Sequence, residues 1–168
     1  MTEDEFIQAF QLYNPTIYSF IKFRVNSKDI AQDLTQEIFI KLWDKRTSFD
    51  KRKSSLKTFL FTIAKNHLID YYRSSKKYYE ELKEDATDIE SNNERDIDLE
   101  YIKSKIKQLD SDEQILISLK YIEELSNDEI SVIINKNINS TKVSISRALQ
   151  KLKELINRDY TNNELPNR

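Results

Sequence analysis
Apolar side chains recur at three- and four-residue steps through most of this chain, the spacing that lines one face of a helix. Thr2-x-x-Glu5 has the form of a capping box for a first helix carrying Phe6, Phe10 and Tyr13. Pro15 is expected to open a new helix bearing Ile17, Phe20, Ile21 and Arg24. Ser27 can cap a longer one, Lys28 to about Lys45, whose stripe Ile30, Leu34, Ile38, Leu42 is widened by Phe39 and Trp43. A polar break, Arg46 to Ser54, precedes a helix from Ser55 to about Arg73, with Leu56, Leu60, Ile63, Ala64 and Leu68 facing inward.

The period fails over residues 78–98, which are rich in Glu, Asp, Asn and Ser. With little to bury, they read as a flexible linker, with local helix near Tyr78 or Leu82 as an option. It resumes near Leu99, where Ile102, Ile106 and Leu109 share a face. Ser111-x-x-Gln114 is expected to open the next helix, with Ile115, Leu116, Leu119 and Tyr121. Ser126-x-x-Glu129 caps a short helix, Asn135 to Asn139 reads as a tight turn, and Ser140 caps the last helix. That helix carries Ile145, Ala148, Leu149, Leu152, Leu155 and Ile156. The expected fold is all-α: two small helical domains, 1–77 and 99–160, joined by an acidic flexible linker, with a disordered tail over 161–168.

Composition narrows the chemistry. The 168 residues contain no Gly and no Cys, and only two Pro and one His. Gly-rich hairpins, glycine phosphate loops, disulfides and thiolate metal sites are thereby excluded. No metal, cofactor or catalytic dyad is expected, so the chain reads as no enzyme, and His67 reads as a structural or surface residue. The acidic start and the lack of a membrane-length apolar run predict a cytoplasmic protein without membrane insertion. The net charge of −2 argues against simple nucleic-acid binding, but it is unevenly spread. Lys51 to Lys77 holds eight cations against one acid, Glu80 to Glu100 ten acids against two cations, and Ser140 to Arg158 five cations against one acid.

Each basic block sits on a pattern that fits nucleic acid. A short capped helix, a turn and a longer basic helix outline a helix-turn-helix, whose second helix enters the major groove. Its leading residues, Ser140, Thr141, Lys142, Ser144, Ser146 and Arg147, would lie nearest the bases. Lys151, Lys153 and Arg158 suit phosphates. An ordinary helical hairpin with a solvated basic face fits the same pattern. Val143 falls among the reading positions: it either meets a thymine methyl or marks a facing wrong by one residue. In the other block, Phe59, Asn66 and Arg73 stand seven apart, with Lys57, Phe61, Lys65, Tyr72, Lys76 and Lys77 around them. Rings among cations suit single strands, where bases stack and phosphates pair. At least one of Phe59 and Phe61 should be core. Asp33, Gln36, Glu37 and Lys41 form a polar ridge that is either solvated or open to a partner helix.

Three stretches resemble, in order, the extracytoplasmic-function group of the sigma-70 family, over about residues 5 to 158. Asp33-Leu-Thr-Gln-Glu-Ile-Phe-Ile-Lys-Leu-Trp43 is similar to the family's polymerase-clamp-binding helix. Ser48-Phe-Asp50 with Leu56 through Arg73 is similar to its −10 melting segment. Leu119-Lys-Tyr121, Leu125 to Ile130 and Arg147 to Leu152 are similar to its −35-reading domain.

The resemblance implies a sigma factor that binds core RNA polymerase and directs promoter-specific initiation, with an anti-sigma factor as a further partner. It implies polymerase contacts at Asp33, Gln36, Glu37 and Lys41. Single-stranded −10 contacts would come from Phe49, Lys57, Phe59, Lys65, Asn66 and Arg73, with Asn66 holding a flipped base. Double-stranded −35 contacts would come from Ser140, Lys142, Ser144, Ser146, Arg147 and Lys151. The linker would thread near the polymerase active-site path. Phe59 stands where the family usually has Trp; Glu124, Asn135 and Asn139 replace usual glycines, and Lys136 a usual apolar residue. A free-standing DNA-binding regulator and a protein-only helical adaptor are the competing functions; the first would bind duplex unaided, and the second leaves both basic blocks unexplained.

Overall fold
Seven α-helices and one π-helical turn account for the regular structure of the described residues, and no strand occurs among them. The computed structural model describes residues 1–25, 27–79 and 96–161, with side chains for 1–25, 27–74 and 100–159. The chain divides into two units, Met1–Asp88 and Ile89–Arg168. The linker residues 80–95 and the tail beyond 161 lie outside the described residues. Both ends of the expected 78–98 linker are helical: one helix runs to Tyr79 and the next begins at Asp96.

In the first unit, α1 (Glu3–Lys22), α2 (Lys28–Asp44) and α3 (Leu56–Tyr79) pack pairwise. Thr2 and Glu5 close the expected capping box on α1. Pro15 does not start a helix; α1 passes through it unbroken. A mid-helix proline forfeits one backbone bond and crowds the carbonyl four residues back. Pro15 and Gln11 both stand exposed, so water can take that carbonyl, while Ala9, Ile17, Phe20 and Ile21 bury the opposite side on both flanks of the proline. Burial of those four outweighs the lost bond.

The α2 cap is Ser27, whose Oγ accepts from the Ile30 amide at 3.3 Å. Leu34, Ile38, Phe39 and Leu42 enter the core and Ile30 only half does. In α3, Leu60, Phe61, Ile63, Ala64 and Leu68 are buried, with Phe61 edge-on to Phe20 at 5.2 Å. Tyr72 donates its hydroxyl to the Arg24 carbonyl at 2.9 Å, tying α3 to the end of α1. Burial pushes that phenol's pKa up. Phe61 and Tyr72, grouped by sequence with the nucleic-acid-facing rings, are thus framework.

In the second unit, α4 (Asp96–Ile106), α5 (Ser111–Ile117) and α6 (Asn127–Ile134) all pack on or beside α7 (Ile138–Thr161). Tyr101 and Lys105 of α4 both reach Asp159 of α7, the hydroxyl at 3.0 Å and the ammonium as an ion pair. The α5 capping box is Asp110 with Glu113, one residue before the expected Ser111 and Gln114. That register frees the Gln114 amide to donate to the carbonyls of Leu109 at 2.9 Å and Lys107 at 3.3 Å, which close α4.

After α5 the backbone widens into the π turn Ser118–Ile122, and Glu124 takes a left-handed φ of 55° to leave it. Tyr121 is 50 % exposed rather than core, because two residues beyond buried Leu119 the chain has turned to roughly the opposite side. Ser126 and Glu129 form the expected box on α6, and the C-cap Asn135 has φ 54°.

The turn to α7 is shorter than expected. The cap is Asn137 in place of Ser140: its side chain accepts from the Ser140 amide at 2.8 Å, so the helix begins three residues early. Thr141 is then fully buried, its hydroxyl donating to the Asn137 carbonyl at 2.9 Å, and it leaves the set of base-facing residues.

Candidate nucleic-acid interface and docking ridge
The first site is built on α3 and the loop before it. Phe59 is half-buried, its ring 5.2 Å from that of Phe49 and tilted by 39°. The loop is thereby pinned to the helix by the two aromatics. One and two heptads further along the same side stand Asn66 and Arg73, both exposed. Lys65 donates to Asn66 Oδ1 at 3.3 Å, leaving the Asn66 side chain at the surface with a cation beside it. Lys57 sits half-buried, its ammonium 5.9 Å from the Phe61 ring centre. Phe49, Phe59, Lys65, Asn66 and Arg73 therefore share an accessible side of this unit, and Phe61 and Tyr72 hold it from beneath. A ring pair, an amide and cations in that order can stack a base, hydrogen-bond its edge and meet phosphates.

The second site is the outward side of α2. Asp29, Asp33, Gln36, Glu37 and Asp44 are exposed along it, and Lys41 is half-buried at its margin. In their midst stands Ile40, 59 % exposed, which the sequence reading passed over. Its only signal was an apolar residue two places from buried Ile38, off the inward stripe. An apolar centre ringed by charge has the anatomy of a helix-binding interface.

Glu37 also reaches across to α3, where its carboxylate lies 2.7 Å from His67 Nε2. Burial, and then Lys41, push the His67 pKa down, against the opposing pull of Glu37 and Asp70. His67 is a strut between the two helices, as a structural role requires.

The third site is the outer side of α7. Ser140, Lys142, Ser146 and Arg147 are exposed and Ser144 is half-buried, while Thr141, Ile145, Ala148 and Leu152 face the core. Lys151 is drawn off this set: its ammonium donates to Glu113 at 2.7 Å and lies 3.8 Å from Asp110. The bond to Glu113 raises its pKa and compensates its charge within the unit.

Residues 9–78 match the family described as Sigma-70 region 2, and residues 99–152 match Sigma-70, region 4. The ECF RNA polymerase sigma factor SigW of Bacillus subtilis is 32 % identical over 175 residues, covering 90 % of this chain and 89 % of the relative. The chain belongs to the sigma-70 family. Within it, the similarity is to the ECF group. The ECF sigma factor BldN of Streptomyces coelicolor is 27 % identical, and this chain spans 61 % of its length. Among solved structures, the sigma factor RpoE of Bartonella quintana, in complex with the anti-sigma factor NepR, is 27 % identical with a TM-score of 0.78. The match covers 92 % of this chain and 98 % of that one.

Sigma-70 membership carries promoter recognition and transcription initiation with RNA polymerase, and no catalysis of its own. Two of this sigma chain's departures from family glycines fall on left-handed backbone, Glu124 and Asn135, so the glycine geometry is kept without glycine. The third, Asn139, lies in the first turn of α7, where a side chain is no hindrance. No helix among the described residues is long and apolar enough to cross a membrane.

Proposed function
We propose that this chain acts in the cytoplasm as an ECF sigma factor, docking on core RNA polymerase through the α2 ridge. The polymerase would meet Ile40 within the ring of Asp33, Gln36, Glu37 and Lys41. The α3 site would then take the displaced −10 strand. There Phe49 and Phe59 shape the wall of a base pocket, Asn66 hydrogen-bonds the extruded base, and Lys57, Lys65 and Arg73 meet phosphates. Extruding a base costs a few kcal/mol, which a site already shaped for it offsets.

The α7 face would lie in the major groove of the −35 element, with Ser140, Lys142, Ser144, Ser146 and Arg147 towards the DNA. Lys151 would serve as a brace for α5 more than as a phosphate contact. Domain limits of 1–77 and 99–160 fit this division of labour. An anti-sigma factor, such as the one held by the Bartonella relative, fits as a regulator of the same surfaces.

One observation supports the reading above the rest: two separate helical units match regions 2 and 4 in family order, with Asn66 and Arg73 exposed on one and Ser140, Lys142, Ser146 and Arg147 on the other. The test is run-off transcription on genomic fragments with purified core polymerase. Discrete transcripts that require this chain are expected. Transcription unchanged by the chain, or equally tight duplex binding without polymerase, would defeat the proposal and favour a free-standing regulator.

A further inference from the structure
We propose that Val143 reads a thymine in the −35 element by packing against its C5-methyl group, an assignment that rests on α7 being the −35-reading helix. Val143 is 49 % exposed, so it is not a core residue of the unit and the facing of α7 is settled. Around it on the helix surface are Asn139, Lys142, Ser146, Arg147 and Gln150, all exposed and all polar. Asn139 lies one turn before it and Arg147 one turn after, which puts it on the midline of the outward face.

A branched aliphatic side chain is a poor choice for a solvated helix position and cannot hydrogen-bond. The major-groove floor is a row of hydrogen-bonding edges that carries one kind of apolar group, the thymine methyl. A valine pressed on cytosine would leave the N4 amino group dry and unpaired, and on adenine it would do the same to N6. The polar neighbours fix the helix over the site, and Val143 then favours thymine at one base pair.

The experiment selects promoters from a library randomised through the −35 element, using holoenzyme assembled from core polymerase and the full chain. Wild-type protein and Val143→Ser are compared. Thymine should be enriched at one position by the wild type and lost there alone in the variant, with the other positions unchanged. Replacing that thymine by deoxyuridine, which removes only the methyl, should weaken wild-type holoenzyme binding by about fourfold. It should add no loss in Val143→Ser, while Val143→Ile should retain the penalty.

An equal deoxyuridine penalty in both proteins overturns the assignment, as does −35 selection that contains no Val143-dependent thymine. Loss of preference at every position in Val143→Ser would show a structural role instead and overturn it too. Absence of any −35 selection by the wild type would defeat the underlying −35 reading, and this assignment with it.

Discussion

At the scale of single residues, chemistry is decided by which side chains the packing leaves outside. Asn66 is exposed on the same side of α3 as half-buried Phe59, so its amide is available to a base while its backbone stays locked in the helix. Asn66→Ala should impair strand opening about fivefold, the worth of one hydrogen bond of about 1 kcal/mol. Permanganate footprinting of the open complex would measure this, with affinity for core polymerase unchanged; normal opening would remove Asn66 from the base pocket. Ile40 is the counterpart on α2, since an apolar group at the centre of a polar ring is where an interface concentrates its energy. Ile40→Ala should weaken core binding by about 1–3 kcal/mol. Fluorescence titration with purified core would detect the loss, and an unaltered affinity would place the docking surface elsewhere. Spacing alone put Asp33, Gln36 and Glu37 on one polar ridge. Ile40 was not legible from it, because the pattern that identifies a core says nothing about an apolar residue off its stripe.

At the scale of elements, local signals compete and the neighbouring helix arbitrates. Both Asp110 and Ser111 can cap α5; Asp110 prevails in a register where Gln114 also closes α4. Both Asn137 and Ser140 can begin α7; Asn137 prevails, with Thr141 under cover. Pro15 loses to the apolar face that continues on either side of it. The exit from the π turn forces left-handed backbone on Glu124, which costs an L-residue about 1–2 kcal/mol. Glycine escapes that cost but surrenders more chain entropy on folding. Glu124→Gly should therefore raise stability by about 0.5–1 kcal/mol, read as a higher urea midpoint at unchanged slope. A lower midpoint would mean that the Glu124 side chain contributes more than its backbone costs.

At the scale of the whole molecule, charge makes stability depend on pH. Lys51 holds the Glu5 carboxyl below its ordinary range, Arg52 does the same to Asp50, and Lys105 to Asp159. A carboxyl whose folded pKa is depressed binds fewer protons than in the unfolded chain. Its contribution is present above the unfolded value and is lost as pH falls through the folded one. His67 works in the same direction: its folded pKa lies below the ordinary 6.5, so between the two values the unfolded chain takes up the proton and gains. Stability should thus fall from pH 7 towards acid, first below about 6.5 through His67, then through the carboxyls. Melting followed by circular dichroism across that range would show it, and His67→Gln should remove the upper step. A midpoint unmoved between pH 7 and pH 3 would contradict these shifts. The pairs of Glu5 and Asp50 are exposed and screened by salt, so their share is small.

Sequence alone determined that the chain is helical in two separate blocks and that cations concentrate on two of its stretches. Period and composition are properties of the chain itself, and they survive any error of a residue or two. Spacing also placed Asn66, Lys142 and Arg147 on outward faces, and all three are exposed. Only the tertiary structure decided that α1 runs through Pro15, that Thr141 turns inward, that Lys151 is held by Glu113, and that Ile40 and Val143 stand alone among polar neighbours. Those outcomes depend on which of two comparable local options a second helix buries. A difference of about 1 kcal/mol between caps or registers is supplied by packing that no single segment contains.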